Sequence, residues 1–170
     1  MKISYIFLPL IFWCCRLNAS ITDIKVRVGG MVCTACVSVI TKALTGKISE
    51  LVSVKNIDLK TGIVTATLTD NNNLTIAQLQ TKLNDAVQKS TYKFEAIQSI
   101  AAHGTVGKDA TGLFFTVSNS EERIDLPASL KKQAASLAKN NSPAIISGVI
   151  EKGRAEGFSF TKNTSLMKAD

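Results

Sequence analysis

Cys33 and Cys36 stand two residues apart, directly after Gly29, Gly30 and Met31. Two thiols at that spacing can close on one small, soft ion. Val37, Ile40 and Leu44 follow at helical intervals, so Cys36 is expected in the first turn of a helix whose apolar stripe faces a core. Unpaired backbone N–H groups and the positive end of the helix dipole favour negative charge there. Both pull a cysteine pKa below its usual value of about 8.5. Thiolates in turn prefer Cu(I), Hg(II), Zn(II) or Cd(II) to hard ions.

A Cys-x-x-Cys pair also serves redox dithiols and half-sites for zinc, so its setting has to be read with it. Ile24, Val26 and Val28 alternate before the glycines, as in a half-buried strand, and the helix pattern follows the thiols. Gly30-Met31-x-Cys33-x-x-Cys36 in this strand-to-helix setting resembles the heavy-metal-associated domain of copper chaperones, metal-pumping ATPase N-termini and the periplasmic mercury-binding protein. The resemblance covers residues 21–98. It implies that Cys33 and Cys36 are the metal ligands, that Met31 is buried and shapes the loop, and that Tyr92 lies near the metal. Thr91 stands where the family usually has glycine before that tyrosine.

The elements that would position the thiols follow from period and turn chemistry. A strand is expected over 22–28 and the motif helix over 34–44, stopped by Gly46. Strands over 51–59 and 63–68 flank the turn Lys60-Thr61-Gly62. A second helix over 75–89 buries Ile76, Leu79, Leu83 and Val87, and a strand over 92–97 follows. Two helices on one face of a four-stranded antiparallel sheet make an α+β, ferredoxin-like βαββαβ sandwich over residues 20–98.

Residues 99–103 read as a connector, and residues 104–170 as a small, mainly β domain of unknown role. Strands are expected there over 104–108, 113–117, 123–126, 144–150 and 158–161. One helix over 128–139 is opened by Pro127. The order βββαββ suggests an OB-like barrel. Its alternative is that both halves belong to one larger α+β domain.

The first nineteen residues read as a secretory signal peptide. Lys2 is followed by a nearly unbroken apolar run from Ile3 to Trp13, with small Ala19 before Ser20 at the cut. The run is shorter than the roughly 20 residues that span a bilayer, so no stable membrane anchor is expected. Phe12 and Trp13 before Cys14 and Cys15 do not suit a lipoprotein signal. An exported protein is expected, periplasmic in a bacterium. After cleavage Cys33 and Cys36 are the remaining thiols, with eighteen basic against thirteen acidic residues. Scattered lysines of this kind mark a solvated basic surface, or weak attraction to acidic partners and anionic lipids.

Other candidates carry less chemistry. Lys89 could offset the negative charge of a dithiolate complex. His103 is the sole histidine and a poor prospect as a ligand. Phe114 and Phe115 would serve as core or, in a nucleic-acid-binding barrel, as a stacking platform; no nucleic acid partner is expected of an exported chain with this charge. No nucleophile triad, phosphate loop or carboxylate pair is present, which leaves a thiol–disulfide oxidoreductase as the enzyme alternative. Against it, Thr34-Ala35 separates the thiols, no aromatic residue directly precedes Cys33, and no proline lies between Pro9 and Pro127. The expectation is a non-enzymatic carrier that binds Cu(I) or Hg(II), with Zn(II) as a further candidate. It would exchange that ion with a donor or acceptor protein bearing a dithiol. An envelope metal-sensing protein is the third reading.

Overall fold

The computed structural model describes residues 20–88, 91–140, 142–152 and 157–169, with the side chains of 152 and 162 left out. The expected signal peptide and Lys89 lie outside the described residues. The chain forms β1 (Ile21–Gly29), α1 (Thr34–Lys47), β2 (Leu51–Asp58), β3 (Ile63–Leu68), α2 (Ile76–Gln88), β4 (Lys93–Lys108), β5 (Leu113–Val117) and β6 (Arg123–Asp125). A 3-10 turn (Ala128–Leu130) then leads into α3 (Lys131–Lys139), β7 (Pro143–Lys152) and β8 (Phe158–Lys168).

The first half of the sheet runs β2-β3-β1-β4, with antiparallel pairing throughout. Alternation decides its inner face. Ile24, Val26 and Val28 of β1 and Val64, Ala66 and Leu68 of β3 are buried, while Lys25 and Arg27 face solvent. Helices α1 and α2 touch each other and cover this face, contributing Ile40 and Leu44 from α1 and Leu79, Leu83 and Val87 from α2. Each such fully buried aliphatic side chain adds roughly 1.5–3 kcal/mol. Helix α1 does not stop at Gly46: it continues to Lys47, and Ile48 N–H closes it on the Leu44 carbonyl. Ile48 is fully buried, so packing carries the helix past the glycine.

The second half closes on itself. β4 pairs with β5, β5 with β6, β6 in parallel with β8, β8 with β7, and β7 again with β4, giving a five-stranded barrel. Phe115, Val117, Ile124, Ala144, Ile146 and Leu166 are among its buried residues, and α3 adds Ala134 and Leu137.

Residues 99–103, expected as a connector, are instead the middle of β4, paired with β1 on one edge and β7 on the other. Ser99, Ala101 and His103 look like linker residues, but Ile100, Ala102, Gly104 and Val106 are buried at strand period. Gly104 is needed for packing: a Cβ there would lie 2.0 Å from the Thr116 carbonyl oxygen and 2.7 Å from the Phe115 ring. One continuous strand therefore serves both halves.

Candidate metal centre

The thiol loop is built from the end of β1. Gly30 has φ +87°, a left-handed conformation that favours glycine, and Tyr92 and Thr91 pack beside it. Gly62 (φ +69°) ties the β2–β3 turn to the same place by accepting the Val28 N–H at 2.8 Å; a Cβ on it would lie 2.7 Å from the Val28 carbonyl oxygen. Met31 is then buried and Val32 is thrown outward, 88% exposed.

Cys33 is the N-cap of α1, with extended backbone and an exposed side chain. Cys36, in the first turn, is buried at 4% exposure. The Cys33 N–H donates to Cys36 Sγ at 3.3 Å, and the Cys36 N–H donates to the Cys33 carbonyl at 3.0 Å. No disulfide joins the thiols. The Cys36 thiol is pulled down from 9.0 to about 7, first by hydrogen bonding with the Cys33 side chain and then by the Tyr92 hydroxyl, which together outweigh burial. Donation to Cys36 pushes the Tyr92 hydroxyl up to about 12. The sequence-based expectation placed Tyr92 near the thiols, and its hydroxyl reaches the buried one.

Among the described residues, no group of three or more cysteine, histidine or acidic side chains could hold a metal ion. The two thiols leave an open coordination sphere, suited to a two-coordinate soft ion or to a third thiolate from outside. His103 does not join them. It lies in β4 ten positions beyond Lys93, the partner of Gly29, which puts it roughly 30 Å away along the strand. Phe115 is core, and the Arg123 guanidinium covers the Phe114 ring at 3.6 Å from its centroid, so neither is a free stacking surface. Arg123 is held there by an ion pair with Asp109.

Among solved structures the chain is similar to a CopZ metallochaperone. The match has 23% identity and a TM-score of 0.36, and covers 44% of this chain and 100% of that one. No protein-family model matches the chain. No curated protein matches it. Among the described residues, no helix is long and apolar enough to cross a membrane.

Sequence reasoning missed two features of the thiol end. Arg27 and Lys60 line a cleft of about 220 Å³ behind the loop, sharing it with Glu95, Gly30 and Met31. They come from β1 and the β2–β3 turn. The exposed Val32 was the other omission. Its signal was available: an apolar residue between a buried methionine and an exposed thiol has no core to enter.

Proposed function

We propose that this chain is an exported carrier of a soft metal ion, Cu(I) or Hg(II), held by Cys33 and Cys36 and handed to a partner dithiol by ligand exchange. The observation that carries the reading is the placement of the two thiols at the start of α1, one exposed and one buried beneath it, with the Cys33 N–H directed at Cys36 Sγ. A donor set of two soft sulfurs fits either ion. An exposed Cys33 beside exposed Val32 gives an incoming thiolate its point of entry.

The strand order β2-β3-β1-β4 with two covering helices supports a ferredoxin-like sandwich for the first half. The five-stranded closure with its parallel β6–β8 pair supports an OB-like barrel for the second. Residues 1–19 act in this reading as the export signal. A carrier is favoured over a thiol–disulfide enzyme because attack on a substrate disulfide needs an accessible thiolate, and the thiol pulled down to about 7 is the buried Cys36.

The test is metal loading under reducing, oxygen-free conditions with Cu(I), Hg(II) and Zn(II) in competition. One soft ion per chain is expected, with Cys33→Ser or Cys36→Ser each lowering affinity by orders of magnitude. The rate of metal loss should rise with the concentration of an acceptor dithiol. Unchanged stoichiometry in either variant, or a transfer rate equal to spontaneous release, would overturn the reading.

A further inference from the structure

Among the described residues, the large apolar side chains left exposed are Val32, Val39, Val52, Val149 and Met167. Two of them flank the thiol pair. Val32 directly precedes Cys33, and Val39 follows in α1, about 9 Å along the helix axis from Cys33. Ala35, one turn before Val39, is exposed as well, and neither valine belongs to the core cluster. An exposed β-branched side chain adds little to the fold and slightly disfavours a helix. From Val28 to Thr41 the chain carries no charged side chain, although the rest of it holds twenty basic and thirteen acidic residues.

We propose that Val32, Ala35 and Val39 form an uncharged docking strip for the protein that exchanges metal with Cys33, so that the two meet through apolar contact and not through opposite charges. The proposal rests on the carrier reading above and adds the chemistry of the partner's surface. The occupant is set by reach. An incoming thiolate has to arrive at the exposed Cys33, where it bonds to the ion as the Cys33 thiolate leaves. Even a small transient interface, about 600 Å² on each side, is a patch with a radius of roughly 14 Å, so a protein centred on Cys33 covers Val32 and Val39 too. Burying them there removes apolar area from water. A lysine or glutamate on the partner would lose hydration with no charge opposite it in this stretch. The partner's dithiol is therefore ringed by apolar residues. Arg27 and Lys42, at the two ends of the uncharged stretch, are exposed, and solvent and salt screen them.

The probes are two synthetic acceptor peptides with a single Cys-x-x-Cys pair each, flanked by leucine and valine in one and by glutamate in the other. Dithiothreitol, too small to reach Val39 while it takes the ion, is the reference acceptor. Ion loss from the loaded full chain is followed by metal–thiolate absorbance without oxygen and with no other thiol present. The apolar acceptor is expected to take the ion about fivefold faster from the native chain than from Val39→Asn, with Val39→Leu restoring the rate. Dithiothreitol should take it from all three at the same rate, and each should load one ion. The native-to-variant ratio cancels differences in thiolate reactivity between acceptors, and with the glutamate acceptor it should be near one. With the apolar acceptor the native rate should change by less than about twofold between about 0.05 and 0.5 M salt, over which charge-steered encounters slow steeply. Three results would each overturn the docking strip and leave the carrier reading intact: equal rates from the native chain and Val39→Asn; a rate with the apolar acceptor that falls steeply with salt; or a loaded native chain that dimerises where Val39→Asn stays monomeric, which gives the strip to a second copy. A chain that takes up no soft ion overturns the carrier reading, and this proposal with it.

Discussion

The Cys33 N–H points at the Cys36 sulfur from 3.3 Å, so the exposed thiol's own backbone helps to stabilise the buried one. Hydrogen bonds of this kind favour the charged form of their acceptor. The buried thiol is thus prepared by the exposed one.

The first prediction concerns Cys36 titration in the metal-free protein. Thiolate absorbance should rise with a midpoint near pH 7, and Tyr92→Phe should move that midpoint upward because one donor to the thiolate is lost. The folded value lies below the unfolded one, so Cys36 contributes stability that is fully present above pH 9 and is lost as pH falls through about 7. An unshifted midpoint in the tyrosine variant would remove its hydroxyl from the site.

Gly104 and Gly46 should respond oppositely to alanine. At Gly104 a Cβ meets the Thr116 backbone at 2.0 Å, and β4 must shift or part from β5, at a cost of about 2–3 kcal/mol. At Gly46 a Cβ meets nothing within 4 Å, so alanine should stabilise α1 by roughly 0.5–1 kcal/mol. Urea unfolding of the two variants checks both signs.

Glu122, half-buried in the barrel half, accepts the Ile76 N–H at 2.7 Å, at the start of α2. Desolvation raises its pKa above the usual carboxylate value. The contribution from this raised pKa is fully present below the unfolded pKa and is lost as pH rises through the folded one. Glu122→Gln keeps an acceptor without the charge and should match or exceed the native stability at pH 7, with the difference closing in acid. Glu122→Ala should lose about 1 kcal/mol by leaving Ile76 N–H unpaired. Thermal unfolding across pH distinguishes these outcomes.

A chain ended after Ala102 keeps β1 to α2 and the part of β4 that β1 pairs. It should bind the same single ion per chain that is expected of the full chain. Its stability should fall by roughly 2–4 kcal/mol, because β7 no longer pairs with Ser99–Ala102 and Glu122 no longer caps α2. Calorimetry with metal titration measures both quantities.

The sequence by itself determined the thiol pair, the helix behind it and the strands and helices up to residue 97, because each rests on a local signal: the period of apolar residues, a turn at Lys60-Thr61-Gly62, or a cap. It also marked Tyr92 as a neighbour of the site, through family resemblance rather than spacing. Only the tertiary structure decided that Cys36 is buried while Cys33 is exposed, since that depends on how Met31 and Tyr92 pack around the loop. It also decided that residues 99–103 are strand. Their small and polar side chains carry little strand signal, and they are held extended by β1 and β7, whose arrival on either edge is a long-range event. The Glu122–Ile76 bond and the closure of the barrel by β7 on β4 are of the same kind. They follow from which strand reaches which edge, and no local pattern in the chain records that.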